Sequence, residues 1–419
     1  MATKSWQVIS SIVLITSVTV LMQIPSDTWA TAATASLILG ASALACMATS
    51  CILASRWHGI ERLFGGLDRV YEAHKWLGIW ALVFAAYHLV FKAELDAWEL
   101  ASILELPKYW TRLVRQLSFV VLGAIILLAL NRKIPYVKWR WLHKLSGPLF
   151  LIVILHWLSI ESPITLTSPA GIWLALLCTV GVIASLYKMG LYPFIAKSGE
   201  YRVSTVSHSN AALHLEFEPV RNRFQFEAGQ FAFISLKATG LHEPHPFTIA
   251  NAYSDNGHLH FLIRELGDYT RQLSKKVEVG MLADIYAPYG HFKRLPNAKR
   301  EIWIGAGIGI SPFISWLEDK TIGHFERATL VYCFSPSRAF PSAQHMQQMT
   351  DQLGAKFVTN PSGSDALADT IRQAASDVSA ENVQISFCGP EGLLQKVQEL
   401  MKENSIPANN IHYELFDFR

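Results

Sequence analysis

The sequence predicts a multidomain membrane protein: a bundle of six apolar helices, then a small antiparallel β-barrel, then an α/β doubly wound nucleotide-binding domain. Three observations predict it. Up to about residue 190 the chain is a series of long apolar runs, from Tyr201 to about Tyr289 it is short alternating strands broken by Gly, Pro and Asn, and after residue 299 strand and helix patterns alternate around a glycine-rich turn. The length of 419 residues is a prior for two or three domains, and the overall 51% hydrophobic and 16% charged residues average over two unlike halves. The expected divisions are 1–192, 198–298 and 299–419.

Six runs, roughly 7–24, 32–54, 74–92, 113–131, 143–160 and 170–187, are each near the length needed to cross the hydrocarbon of a bilayer. The first is read as a span and not a cleaved leader, because no cleavage pattern follows it and five further runs do. Loop charge orients the bundle. Arg56, Arg62, Arg69 and Lys75 crowd one connection and Arg132, Lys133, Lys138, Arg140 and Lys144 another, while the alternate connections 25–31 and 161–169 hold neither Lys nor Arg. The positive-inside rule then puts both termini in the cytoplasm of a bacterial-type inner membrane. The net charge of +3 is therefore a topological signal and not a nucleic-acid footprint. Cys46, Cys51 and Cys178 lie in spans, while Cys333 and Cys388 stand alone, so the cysteines indicate neither a disulfide framework nor a zinc site.

The third span carries His74 and His88, fourteen positions apart, and the fifth carries His143 and His156, thirteen apart. Fourteen residues of helix advance about 21 Å and close nearly four turns, so both rings leave one face near opposite sides of the bilayer. Histidines inside a membrane span are expensive and point to function. Spans three and five run parallel, so His74 can meet His143 and His88 can meet His156. Two stacked bis-imidazole sites are the ligation of low-spin b-type haem.

These paired histidines make the chain resemble the NADPH oxidase and ferric reductase family. The resemblance implies that His74 and His143 ligate an inner haem and His88 and His156 an outer one, with Arg69, Lys75, Arg140 and Lys144 near the inner propionates.

The barrel region contains "HPFTIAN", His245 to Asn251, and seventeen positions after Phe247 comes Arg264 in "IRELGDYT". Gly267 and Thr270 open a helix expected to start near Asp268, and a helix N-terminus beside an arginine suits a pyrophosphate. Together with "APYG" at 287–290 the motifs resemble the flavin-binding half of the ferredoxin reductase-type fold. By position, the resemblance implies that Pro246 and Phe247 lie at the isoalloxazine ring of FAD, that Thr248 hydrogen-bonds its reactive edge, and that His245 and Arg264 serve its phosphates.

In the last third, "GAGIGISP" from Gly305 to Pro312 sits at the end of a strand and the start of a helix, where Gly305, Gly307 and Gly309 let backbone approach a dinucleotide pyrophosphate. "CGP", Cys388 to Pro390 with Gly389 at its centre, stands at another strand end. The resemblance implies that Cys388 lies near the nicotinamide. Arg338 with Ser335 is placed to hold the 2′-phosphate that separates NADPH from NADH. The family's terminal aromatic over the flavin is assigned to Phe416, with Phe418 as the alternative.

The expected reaction is transfer from NADPH or NADH as hydride to FAD, then singly through the inner and outer haems to an acceptor on the far side. Dioxygen giving superoxide is the expected acceptor, with a ferric chelate or a membrane or periplasmic partner as alternatives. No obligatory protein partner is inferred. The outer loops 25–31 and 161–169 lack a cluster of oxygen ligands for a metal chelate, and Lys92 and Arg115 are placed to stabilise a developing superoxide anion.

Overall fold

The computed structural model describes residues 3–131, 133–134, 136–209, 212–294, 298–336, 340 and 343–414, the side chains of Tyr136 and Val137 apart. The chain divides into two compact units, 1–195 and 196–418.

The first unit is helical: α1 (Ser5–Leu21), α2 (Ala32–Ala54), α3 (His58–Phe64), α4 (Leu67–Val90), α5 (Lys108–Leu130), α6 (Tyr136–His143), α7 (Ser146–Ser159), α8 (Pro169–Leu186) and α9 (Tyr192–Ile195). Starts are set by local chemistry. The Thr31 hydroxyl caps α2 by accepting from Thr34 N at 3.1 Å, and Ser168 caps α8 at Gly171 N with Pro169 in the first turn. Four helices among the described residues are long and apolar enough to cross a membrane, Ala32–Ala54, Lys108–Leu130, Lys138–Ser159 and Pro169–Ile195; Ser5–Leu21 is apolar but shorter. The third expected run differs from its helix. It begins at Leu67 and not near residue 74, because Asp68, Arg69, Glu72 and Lys75 end a hydropathy run without ending a helix. The fifth, 143–160, is α7 from Ser146 onward, which a two-residue turn joins to α6, so the membrane-crossing stretch Lys138–Ser159 runs through both. Pro148 has no N–H to offer the Lys144 carbonyl four residues back, which is the bond a continuous helix would need there.

Helix α2 presents a face of small buried residues, Ala33, Ser36, Ala41, Ala45 and Ala48 among them. Small side chains let neighbouring backbones approach closely, as helix packing in lipid requires.

The second unit holds two sheets. A six-stranded antiparallel sheet runs in the order β4-β3-β6-β1-β2-β5, from β1 (Ser198–Ser209), β2 (Ala212–Arg221), β3 (Phe231–Leu236), β4 (His245–Thr248), β5 (Leu259–Arg264) and β6 (Leu282–Tyr289), with α10 (Asp268–Lys276) after β5. It curls so that Ile249, just past β4, bridges to Phe261 of β5. Alternation along β2 and β5 sends Leu213, Leu215, Phe217, Leu259, Phe261 and Ile263 into the barrel core. The second sheet is parallel, in the order β11-β10-β7-β8-β9, from β7 (Arg300–Ala306), β8 (Ala328–Phe334), β9 (Lys356–Pro361), β10 (Val383–Cys388) and β11 (Ile411–Glu414). Helices α11 (Ser311–Glu318), α12 (Ala343–Leu353), α13 (Ala366–Asp377) and α14 (Glu391–Glu403) cover it. Strands β7 and β8 are buried along nearly their whole length, as a sheet with two covered faces demands.

Helix α11 ties the sheets together. Ser315 Oγ donates to Asn251 O at 3.0 Å and accepts from Gly229 N at 3.2 Å, and Trp316 Nε1 donates to Ala228 O at 3.2 Å. Below it lies a buried ion pair: Arg294 Nε and Nη2 donate to the two Glu301 oxygens at 2.8 and 3.0 Å. The same guanidinium donates to the carbonyls of Gly323 and His324, and Trp303 Nε1 donates to Glu301. Both side chains are about 4% exposed or less. Removing one partner of such a pair strands the other charge, at a cost of about 3–5 kcal/mol. Glu301→Gln is therefore expected to destabilise the second unit by that amount, seen as a lower midpoint for thermal release of flavin fluorescence. An unchanged midpoint would mean that the pair is not closed in solution.

Candidate functional site

The four histidines come together in the two expected couples. The His74 and His143 rings have centroids 5.8 Å apart at 76°, and those of His88 and His156 are 6.5 Å apart at 66°. A metal held by one nitrogen of each ring needs about 2 Å per bond, plus about 1 Å from nitrogen to ring centre, or about 6 Å in all. Both couples have that spacing.

Two residues that the sequence reading missed orient them. His74 Nδ1 lies 2.9 Å from both the carbonyl oxygen and the hydroxyl of Ser50, and His88 Nδ1 lies 3.0 Å from the carbonyl and 3.1 Å from the hydroxyl of Ser36. A ring nitrogen facing a carbonyl carries the proton, so Nε2 keeps its lone pair and aims it away from α2. Ser36 and Ser50 are fourteen residues apart, the same interval as His74 and His88, and that repeated interval was the available signal. On the opposite side, His143 Nδ1 and His156 Nδ1 are buried without a hydrogen-bond partner among the described residues. His143 stacks on Trp139 at 5.3 Å and lines an apolar recess with Ile125, Ala129 and Leu142. Gly40 makes room for one couple: a Cβ there would lie 2.6 Å from His88 Nδ1. The donor sets and their spacing fit two bis-histidine haems.

In the barrel, "HPFT" is strand β4, paired so that Phe231 faces Thr248 and Ala232 faces Phe247. Pro246 and Phe247 are half-buried. Thr248 is buried, and its Oγ1 has no hydrogen-bond partner among the described residues. An orphaned hydroxyl at this depth fits a bound flavin edge. The His245 ring stacks on Tyr269 with centroids 3.6 Å apart. Helix α10 starts at Asp268 as expected, with the Thr270 hydroxyl accepting from Gly267 N and Leu266 N at 3.0 Å each. Thr270 thus closes the turn before the helix and holds two of the amides there.

The "GAGIGI" turn follows β7 and passes through a short 3₁₀ turn, Gly307–Ile310, into α11. Register puts Gly305 beside Cys388. Gly309 lies against the Cys388 carbonyl, and a Cβ there would also come 3.3 Å from Gly389 N, so the two glycine motifs form one cradle that any side chain would fill. The Arg264 guanidinium reaches the same place, 3.7 Å from where a Gly307 Cβ would stand. That cradle fits a dinucleotide. Cys388 is fully buried; burial first, and then the Glu414 carboxylate beside it in register, push its thiol well above the usual value. Glu414, a buried acid in a terminal strand, was another residue the sequence reading did not single out. Ser335 is exposed, 3.3 Å from the Ser362 hydroxyl. Arg338, Phe416 and Phe418 lie outside the described residues.

Residues 39–154 match the family described as the ferric reductase like transmembrane component, and residues 199–301 match an FAD-binding domain family. A superoxide-generating NADPH oxidase heavy chain of Dictyostelium discoideum is 25% identical over 232 residues, 47% of this chain and 32% of that one. Together these matches support the ferric reductase and NADPH oxidase family for this chain. The reductase component of propane 2-monooxygenase from Rhodococcus jostii is 24% identical over 211 residues, 46% of this chain and 56% of that one. The chain spans about half the length of the first curated relatives it matches. The flavohemoglobin of Malassezia yamatoensis is similar in fold, at 18% identity and a TM-score of 0.50 over 93% of this chain and 97% of that one. As in the oxidase and reductase family, a helical membrane domain precedes a reductase-like unit with a curled antiparallel sheet.

The raised Cys388 pKa gives a signed expectation. The folded chain resists deprotonation, so this contribution to stability is full below about pH 9, the ordinary thiol value, and declines above it. At pH 8 iodoacetamide should leave Cys388 unmodified in the native protein and alkylate it in urea, read by peptide mass spectrometry. Rapid native alkylation would show an accessible thiolate instead.

Proposed function

We propose that the chain is a transmembrane oxidoreductase that accepts hydride from NAD(P)H in its second unit and delivers electrons to dioxygen beyond the outer face of the bilayer, forming superoxide. The observation that carries this reading is the pair of imidazole couples, His74 with His143 and His88 with His156, at metal-bridging separation. Bound FAD supplies the conversion from two-electron to one-electron chemistry, and two b-type haems the path across the membrane.

The chain's own residues do the rest. The first unit would cross the membrane as six spans, and residues 1–192, 198–298 and 299–419 are the chain's haem, FAD and NAD(P)H domains. The α2 carbonyls of Ser50 and Ser36 hold His74 and His88 with Nε2 available. Phe247 lies against the isoalloxazine, Thr248 Oγ1 hydrogen-bonds its edge, and His245, Arg264 and the Gly267–Thr270 turn serve the FAD phosphates. Gly305, Gly307, Gly309 and Gly389 admit the nicotinamide dinucleotide, with Cys388 beside its ring as a neutral thiol. Ser335 and Arg338 hold the 2′-phosphate, and Phe416 covers the flavin until nicotinamide displaces it. Both termini lie in the cytoplasm. On the outer side the exposed cations Lys92 and Arg115 stabilise the anion that forms when dioxygen takes one electron.

Two measurements test this. In detergent-purified protein, His88→Ala should lose about half of the reduced-minus-oxidised haem signal while NADPH-driven reduction of a soluble dye persists. Full haem content in that variant would remove the ligand assignment. NADPH-driven cytochrome c reduction should be suppressed by superoxide dismutase. Dismutase-insensitive activity, with anaerobic reduction of chelated ferric iron at a comparable rate, would replace the oxidase reading with a ferric reductase.

A further inference from the structure

One group of side chains on the barrel is used by neither the flavin nor the nucleotide cradle. Leu213, Leu215 and Phe217 of β2 point into the core, so the period of two sends His214 and Glu216 to the outer face. In β5 the same alternation buries Leu259 and Phe261 and turns His260 outward. Antiparallel register sets Glu216 directly opposite His260 and leaves His214 on the diagonal, within reach of the same ring.

The side chains converge. His214 and His260 have ring centroids 5.8 Å apart at 73°, His214 Nε2 lies 3.8 Å from Glu216 Oε1, and ligand atoms of all three fall within 4.8 Å of one another. Each residue is half-buried. Thr205 on β1 donates to Glu216 Oε2 at 2.9 Å, which leaves Oε1 turned toward the imidazoles. The His260 backbone is held on both sides, its N–H donating to Asn251 Oδ1 and its carbonyl accepting from Ala250 N, each at 2.8 Å.

We propose that His214, Glu216 and His260 form a mononuclear site for a divalent first-row transition metal of the zinc class. Two imidazoles and one carboxylate suit a borderline ion. Magnesium and calcium want six or more oxygens, and a soft ion wants thiolate, which no cysteine here supplies. Ligands on a tetrahedral ion with about 2 Å bonds lie about 3.3 Å apart, so small side-chain rotations close the present spacing without moving backbone. Three protein ligands leave positions for water. The oriented carboxylate, with Thr205 behind it, has the supporting hydrogen bond that such sites use. The site would fasten β5, the last strand of the sheet, to β2, and β5 ends in Arg264 at the glycine cradle. Its role is structural, holding that arginine in place.

The test uses the full-length, FAD-loaded protein in detergent, stripped with EDTA and dialysed against zinc chloride. Metal is counted by mass spectrometry and unfolding is followed by flavin fluorescence. Wild type should retain one equivalent more than His214→Ala, Glu216→Gln or His260→Ala, and zinc should raise its melting temperature but not theirs. His208→Ala, whose imidazole lies beside Ser274 at 3.3 Å, should bind as wild type does, and magnesium at the same concentration should not be retained. Equal zinc content in wild type and all three variants would overturn the proposal. So would loss in His214→Ala with full retention in the other two, which would mark an isolated surface histidine. Zinc-edge X-ray absorption of the wild type needs no variant: two imidazoles at about 2 Å are expected, and their absence at one equivalent rejects the site.

Discussion

Imidazoles inside apolar helices are costly unless their nitrogens find partners, and the first unit is arranged around that requirement. Half of the requirement is met by α2, whose Ser36 and Ser50 carbonyls take the Nδ1 protons of His88 and His74. A helical carbonyl is normally committed to the amide four residues on, so each acts here as a shared acceptor, which its second lone pair permits. The approach demands close helices, and the small buried face of α2 provides that closeness. The result is an orientation: with Nδ1 held at the α2 carbonyls, the Nε2 atoms of His74 and His88 keep their lone pairs, as the proposed ligand role requires.

The second unit answers a different constraint, that of holding a turn of backbone steady over a flat surface. The glycine cradle has few side chains of its own to anchor it. Its rigidity comes from α11, pinned through Ser315 and Trp316 to the barrel at Ala228 and Gly229, and from the Arg294–Glu301 pair beneath. Cys388 and Gly305 then meet through parallel register, without a bond between side chains.

Much of this was legible in sequence because it rests on period and spacing. The interval from His74 to His88 fixes a common helix face whatever the neighbours are, and the alternation of β2 and β5 fixes which residues enter the core. Strand-end glycines marked both halves of the nucleotide cradle. Legibility failed where the cause lies in backbone or in three-dimensional neighbours. A hydropathy run stops at the first charges of α4, whereas its helical hydrogen bonding continues back to Leu67. The turn between α6 and α7 lies at Lys144–Leu145, just inside the expected run, where Pro148 has no N–H to carry the helical ladder back. Ser36 and Ser50 each offer a carbonyl, which every residue owns, beside a hydroxyl at a similar distance, so only their interval carried a signal. His260 stands more than forty residues from His214 and Glu216, and the three meet only through register.

Gly40 and Gly78 show how differently one letter can weigh. Both stand in the middle of long helices, where a propensity scale counts each as a defect of about 1 kcal/mol relative to alanine. At Gly78 nothing lies within 4 Å of an added methyl, so the scale applies as written. At Gly40 the methyl would occupy the space of the His88 ring. The missing atom there acts as a spacer of zero thickness, setting how far an imidazole stands from the neighbouring helix, and repairing the helix would detune the couple it serves.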